Sequence, residues 1–247
     1  MKNKNKITVL LILCCVFMIS GCKPQKDIVG EIMPVTAEYK KQPIMEYFQK
    51  KDKFVNVSSS VGIRNEDESL TIKGMTLKYY PNDKKAYGVY SVDQYFNQGK
   101  RIESSEIPLM LDENGYQVKN GYELIEEIRN FIFMSEEVAF TPEYIKSLKV
   151  ENTDYTFEVP SYSVTYLFLN TNDEIKEYLK KKDLLQYGEG YSVVFGKKGR
   201  GYGGGDMTLN VNNEKELYIS ETFNQNISEE GTDYKGQYLG EEMTTNE

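Results

Sequence analysis

The sequence predicts an α+β protein in which a mostly antiparallel β-sheet carries several short helices. Stretches in which apolar and polar residues alternate dominate the middle and the end of the chain, and turn residues separate them. Shorter stretches with helical spacing are grouped between these runs. Strands joined by tight turns pair antiparallel, so this order of elements favours α+β over a parallel α/β sheet.

A positively charged start and a short apolar run open the chain. Three lysines within the first six residues precede an apolar run over about residues 7–19. The run is shorter than the ~20 residues of a membrane-spanning helix but has the length of a signal-peptide core. It ends in Ile19-Ser20-Gly21-Cys22, which resembles the bacterial lipobox. The pattern favours a lipoprotein signal peptide over residues 1–21, with lipid attached to the Cys22 thiolate, over an ordinary secretory signal.

The remaining cysteines agree with this interpretation. Cys14 and Cys15 lie in the predicted leader, so the mature chain keeps only Cys22 and forms no internal disulfide. We expect a lipidated tether over residues 22–30, an α+β domain over residues 31–226 and a disordered acidic tail over residues 227–247. Two closely packed halves are an alternative to the single domain.

Charge restricts the partners. The formal net charge is −8, and it becomes −11 once the leader and its three lysines are removed. Phosphate backbones repel such a domain, so we expect no nucleic-acid partner. The expected partners are the cell membrane, reached through the lipid anchor, and a host or cell-surface protein.

The chain contains no histidine. This excludes Ser-His-Asp and Cys-His catalysis and imidazole ligands for a metal. Catalysis by paired carboxylates, Ser-Lys or tyrosine stays open. We expect no enzymatic activity, no cofactor and no bound metal.

The predicted helices follow from apolar spacing and capping residues. The clearest apolar face, with i, i+1, i+4, i+7 and i+8 spacing, predicts a helix over Tyr122–Met134. Thr141 followed by Pro142 is typical of a helix start, and Asn172 is placed to cap a helix that ends near Lys181. Two further helices are predicted over Val35–Lys41 and Pro43–Asp52.

Strands are predicted wherever apolar residues alternate with polar ones. Before the Pro81–Lys84 turn, the apolar parity changes across Gly74, which predicts a β-bulge. The other predicted strands are Lys85–Tyr95, Ile102–Leu111, Phe157–Leu169, Tyr191–Phe195, Met207–Val211 and Leu217–Glu221.

Three features have both a functional and a structural interpretation. Gly199–Gly204 matches G-x-G-x-x-G, but a strand pattern follows it where dinucleotide binding needs a helix, so a hairpin connection is favoured. Asp112–Glu123 has the length of a calcium loop, but Tyr116 and Gln117 occupy positions that need a ligand and a glycine. The twenty tyrosines could bind carbohydrate, although tyrosine also packs well in half-buried strands.

Several motifs resemble those of the staphylococcal tandem lipoproteins, also called the conserved staphylococcal antigen or lipoprotein-like family. Residues 158–166, EVPSYSVTY, are similar to an EVPSYSAKY stretch of that family. Lys73–Leu77 and Ala86–Tyr90 resemble its R-G-M-x-L hairpin, and the Leu217–Ser220 strand follows in the same order. The resemblance implies a membrane-anchored surface lipoprotein, linked to host-cell interaction and immune sensing, and implies no enzymatic activity.

Three functional hypotheses remain. The leading one is a non-enzymatic, lipid-anchored interaction domain on the extracytoplasmic face of the membrane. The alternative is an extracytoplasmic ligand-binding lipoprotein such as a solute receptor, although the repeated βαβ units of two-lobed receptors are not seen. A cell-wall hydrolase with two catalytic carboxylates would require a deep cleft with paired acids.

Overall fold

The computed structural model describes residues 25–96, 100–158, 160–168, 172–198, 204–211, 217–225 and 232–240. Seven short α-helices lie in this part of the chain: α1 Gln25–Thr36, α2 Ile44–Gln49, α3 Glu126–Arg129, α4 Met134–Glu137, α5 Pro142–Ser147, α6 Asp173–Lys181 and α7 Tyr234–Leu239. None of these helices is long and apolar enough to cross a membrane.

The ten strands of the described residues belong to one sheet, and their pairings are antiparallel. The strands are β1 Val55–Arg64, β2 Leu70–Tyr80, β3 Lys85–Phe96, β4 Lys100–Asp112, β5 Gly115–Val118, β6 Lys149–Thr156, β7 Ser161–Leu167, β8 Ser192–Lys198, β9 Gly204–Asn210 and β10 Leu217–Gln225. The antiparallel sheet is thus confirmed, and strands dominate the fold more than the predicted α+β class implies.

The sheet consists of two meanders of five strands joined at the centre. The spatial order is β5-β4-β3-β2-β1-β10-β9-β8-β7-β6. The chain therefore builds the first half outward to one edge, and then residues 119–148 carry it across the sheet to the opposite edge. We call residues 119–148 the crossing segment. The second half is built back toward the centre, where β10 pairs with β1.

The two faces of the sheet differ in character. Most helices pack on one face, where Leu77 and Ile219 belong to a single buried cluster with Ile32, Phe48 and Ile128. The opposite face is rich in half-buried serine and threonine, and Ser58 Oγ lies 3.0 Å from Thr76 Oγ1 there. Helix α7 covers part of this second face, where Tyr234 and Tyr238 pack on a small cluster of Tyr80, Tyr87 and Met110.

The predicted tether over residues 22–30 is wrong from Gln25 onward, because helix α1 begins there. Ile28, Ile32 and Val35 are buried and share one face of α1 at i, i+4 and i+7. Their burial outweighs Pro34, a residue with poor helix propensity. The helix predicted over Val35–Lys41 is also wrong, because the chain leaves the helix at Thr36.

The helix predicted over Tyr122–Met134 is wrong as well. Two one-turn helices, α3 and α4, form in this region. Ile125 has a ψ of 159° and Phe133 a ψ of 147°, so both residues are extended and interrupt the helix. Ile128 is fully buried, as the apolar pattern requires, but the local pattern did not show that the segment has to cross the sheet.

Three strands escaped prediction, and one predicted bulge is absent. Strands β1, β5 and β6 were not expected, although β1 is one of the two central strands. Strand β2 keeps a continuous register across Gly74 with both neighbours, so there is no bulge. The change of parity instead marks two apolar sets on opposite faces, with Ile72 on one and Met75 on the other.

The domain also extends beyond its predicted end. The tail over residues 227–247 was expected to be disordered, but α7 lies within it and packs on β3 and β4. Other local predictions are confirmed. Thr141 Oγ1 accepts a hydrogen bond from Tyr144 N, and Asn172 Oδ1 accepts bonds from Glu174 N and Ile175 N.

Substitution of Ile128 by Asp should unfold the domain. The change removes a fully buried side chain and introduces a carboxylate into an apolar site, so the free energy of unfolding should fall by about 3–5 kcal/mol. Thermal melting followed by circular dichroism measures the loss. Arg129→Asp introduces the same carboxylate one residue further at an exposed position, and a comparable loss in both variants would contradict the assignment.

Candidate functional site

A fully buried carboxylate lies at the centre of the sheet. Glu221 of β10 points to the helix-covered face and has no exposed surface. Its Oε2 accepts a hydrogen bond from Met134 N at 2.7 Å, and its Oε1 accepts one from Ser135 N at 3.0 Å. Burial raises the pKa of Glu221 to about 7. Because both donors are unpaired N–H groups at the start of α4, Glu221 fixes this helix over the sheet.

A second carboxylate connects α4 to α2. Glu136 Oε2 accepts a hydrogen bond from Phe133 N, and its Oε1 accepts one from Ile44 N, each at 2.8 Å. Burial raises the pKa of Glu136. Each oxygen thus satisfies a backbone N–H group at the start of a different helix.

A third carboxylate holds the end of the crossing segment. Glu174 of α6 accepts a hydrogen bond from Ala139 N at 2.9 Å and one from Lys41 Nζ at 2.8 Å. Burial opposes its ionisation, but the bonds from Ala139 and Lys41 outweigh this effect and lower the pKa of Glu174. We call Glu221, Glu136 and Glu174 the carboxylate staples, because each fixes backbone of the crossing segment to another element.

A cleft opens beside this region, between the crossing segment, the end of α6 and the first half of the sheet. Its volume is about 710 Å³. Tyr90 and Phe131 provide aromatic surface, and Val61 and Ile63 of β1 provide aliphatic surface. The charged residues on its wall are Lys73, Glu126, Glu127, Lys181, Lys182 and Asp183. The cleft therefore combines apolar surface with charges of both signs.

Lys182 is the unusual charge in the cleft. Its Nζ lies 4.1 Å from the centroid of the Phe131 ring and 5.8 Å from that of Tyr178. Burial lowers the pKa of Lys182 to about 8, although Glu221 and Glu136 act in the opposite direction. Within the described ranges, no carboxylate lies within 4 Å of this ammonium group. Lys181, its neighbour, forms an ion pair with Glu137 at 2.6 Å.

The predicted lipid site lies outside the part of the chain that the structure describes. This applies to Cys22 and to the lipobox residues Ile19, Ser20 and Gly21. Residues 199–203 of the glycine-rich motif also lie outside it. Gly204 begins β9, which pairs with β8 and β10, so no helix follows the motif and the hairpin interpretation is confirmed.

The calcium-loop residues form a hairpin turn instead. Asp112 Oδ1 accepts a hydrogen bond from Asn114 N between β4 and β5, and Asp112 also lies 3.9 Å from Lys85 Nζ. In the described residues, no group of three or more Asp, Glu, His or Cys side chains is arranged to hold a metal ion. Buried tyrosines such as Tyr39 and Tyr178 pack inside the core.

The strand pattern around Glu221 is a sequence feature that indicates a buried carboxylate. Leu217, Ile219, Glu221 and Phe223 share one strand parity, and the other three are buried apolar residues. An acidic residue on the apolar face of a strand has to find hydrogen-bond donors there. No comparable pattern points to Lys182, because its burial depends on the path of the crossing segment.

The family of the chain is clear from sequence comparison. The model of the Csa1 family, a domain of unknown function, matches residues 44–228, and the chain belongs to this family. This confirms the resemblance to staphylococcal lipoproteins that the sequence motifs indicated.

Relatives come from two staphylococcal species. An uncharacterized lipoprotein of Staphylococcus aureus strain NCTC 8325 is 29% identical over 147 residues, which is 56% of each chain. An uncharacterized lipoprotein of Staphylococcus epidermidis strain ATCC 12228 is 27% identical over 197 residues, or 74% of each chain. The chain thus spans little more than half the length of the S. aureus relative.

A solved structure of a DUF1329 family protein from Desulfovibrio piger aligns with 82% of this chain and 96% of its own. Its TM-score is 0.20 at 8% identity. A similarity this low supports no inference about fold or function.

Substitution of Glu221 by Gln should remove a pH-dependent part of the stability. The folded pKa of about 7 lies above the ordinary value of 4.5, so the folded chain retains a proton that the unfolded chain releases in this range. As pH rises from 4.5 to 7.5, the free energy of unfolding of the wild type should therefore fall by roughly 3 kcal/mol relative to Glu221→Gln.

Urea denaturation at several pH values measures this difference. Glu177→Gln, at an exposed position of α6, is the control and should follow the wild type. A difference between wild type and Glu221→Gln that stays constant with pH would show that Glu221 titrates normally in the folded chain.

Proposed function

We propose that the chain is a surface lipoprotein, anchored to the extracytoplasmic face of the cell membrane through acylated Cys22, and that its domain is a non-enzymatic interaction module. The lipobox-like run at Ile19-Ser20-Gly21-Cys22 is the observation that carries the proposal. The lipoprotein names of its staphylococcal relatives support it. Two acyl chains hold a protein stably where a single chain is marginal.

The partner of the interaction module is a host or cell-surface protein. The serine- and threonine-rich face of the sheet supports this part of the proposal, since Ser58, Ser60, Ser220 and Thr222 lie side by side on neighbouring strands. Their hydroxyl groups both donate and accept hydrogen bonds, which suits a polar protein interface. A role in immune sensing would reside in the lipid itself and would disappear with Cys22.

Substitution of Cys22 by Ala should abolish lipid attachment. The thiolate that takes the diacylglyceryl group is then missing, so the chain should lose label from a fatty-acid analogue and leave the membrane fraction. Metabolic labelling followed by fractionation measures both effects. Cys14→Ala, in the leader, should be labelled like the wild type. Undiminished label in Cys22→Ala would show that Cys22 is not the site of lipid attachment.

A second function, binding of a small ligand, is favoured by the cleft. Its aromatic and aliphatic surface could hold the body of an amphipathic molecule, and Lys182 could hold an anionic group. The described residues form a single antiparallel sheet, so such a site would differ from the interlobe site of a two-lobed solute receptor.

Substitution of Lys182 by Met should weaken binding of an aromatic anion in the cleft. The probe is 8-anilinonaphthalene-1-sulfonate, titrated into the folded chain and followed by fluorescence. Loss of the charge-assisted contact should reduce affinity about tenfold, while Met keeps most of the apolar stem. Lys180→Met, an exposed lysine outside the cleft, is the control. Equal binding by both variants would exclude Lys182 as the anion contact.

A further inference from the structure

The β6–β7 hairpin presents an exposed aromatic side chain. Phe157, which directly follows β6, has 68% of its surface exposed, more than any other large hydrophobic residue in the described ranges. Its ring centroid lies 6.5 Å from that of Tyr155, and Tyr155 lies 5.0 Å from the buried Tyr162. A row of aromatic rings therefore connects Phe157 to the core and supports its position.

Helix α1 lies across the second half of the sheet, and its N-terminal end is directed to this same hairpin. Near its end, Val35 lies directly over Gly205 of β9, where an added Cβ would come within 2.5 Å of Val35 Cγ1. Four residues earlier, Glu31 forms an ion pair with Lys197 of β8 at 2.8 Å. The helix also contacts β7 and β6, so the order of contacts with β9 and then β8 places its earlier turns over these two strands. The N-terminus of α1 and Phe157 thus lie at the same edge of the sheet.

The lipid anchor lies very close to this edge. Cys22 precedes Gln25, the first residue of α1, by three residues, and three extended residues span at most ~11 Å. Buried Ile28 and Ile32 fix α1 to the sheet, so the helix is not a flexible spacer. A lipid on Cys22 would hold the β6–β7 edge at the membrane surface and leave the domain little freedom to turn away.

We propose that the β6–β7 edge lies against the lipid bilayer and that the Phe157 ring inserts into its interfacial region. This inference rests on the proposed acylation of Cys22. Aromatic side chains are favoured at the bilayer interface, and burial of the exposed ring adds to the affinity of the acyl chains. Asp154 and Glu158 near the ring are exposed and offset the exposed Lys198 at the same end of the strands, so ring burial rather than attraction to anionic lipids drives the contact.

The chain lacks tryptophan, so a single introduced tryptophan reports on its own surroundings. Phe157→Trp tests the proposed contact, and Tyr191→Trp is the matched control. Tyr191 is 42% exposed and precedes β8 at the end remote from the β6–β7 hairpin. The full-length chain is acylated in bacteria, purified and reconstituted into phosphatidylcholine vesicles with or without brominated acyl chains.

In Phe157→Trp, brominated lipid should remove most of the tryptophan emission, and the emission should shift to the blue on vesicles. Raising the salt concentration should change neither effect, because the contact does not depend on surface charge. In Tyr191→Trp the emission should stay at its solution wavelength and remain unquenched. Equal quenching of the two variants, or none in either while the chain co-sediments with the vesicles, would overturn the proposed orientation.

A second preparation separates this proposal from natural acylation. In the chain without residues 1–21, Cys22 is the only cysteine, so it can be coupled to a maleimide lipid. Quenching of Phe157→Trp alone in this preparation supports the orientation even if bacteria do not acylate Cys22. No difference between the two variants in the coupled protein overturns the orientation, whatever the outcome of the acylation test.

Discussion

The fold depends on holding the crossing segment against the sheet. Because the two meanders are built at opposite edges, residues 119–148 have to pass over the central strands. The helices in this segment have only four to six residues, so most of their N–H groups have no partner within the helix. Glu221, on a central strand, accepts hydrogen bonds from two of these unpaired N–H groups. The two N–H bonds compensate part of the cost of burying its carboxyl group.

Burial in the same region shifts the pKa of Glu221 and that of Lys182, which lines the cleft. Glu221, with a pKa of about 7, favours folding most when it is protonated, below pH 4.5, and this contribution is lost as pH rises through 7. Lys182, with a pKa of about 8, binds its proton less tightly in the folded chain, so its contribution to stability grows above pH 8. Where both groups are charged, the attraction of Glu221 offsets part of the cost of burying the Lys182 ammonium group. An anionic ligand at Lys182 would likewise favour the charged form of this side chain.

The sequence predicted the features that depend on interactions between residues close together in the chain. The caps at Thr141 and Asn172 and the hairpin before Gly204 needed only neighbouring residues. Strand β1 escaped because Ser59 interrupts its apolar face, and edge strand β6 escaped because most of its residues are polar. The helix expected around Ile128 failed for a different reason. Its apolar spacing is real, but bonds from residues about 90 positions away in sequence impose extended backbone at Phe133.

The register of the strands gives the position of the cleft relative to the proposed membrane contact. The register places Phe157, Lys198 and Gly204 at one end of the second meander, and this end continues to Val55 of β1. Ile63, which lines the cleft, lies at the other end of β1, opposite Leu217. If the β6–β7 hairpin rests on the bilayer, Ile63 and the cleft that it lines lie toward the opposite end of the strands. A ligand could then enter from the extracellular side without competing with the membrane contact, so the anchor and the cleft would act independently.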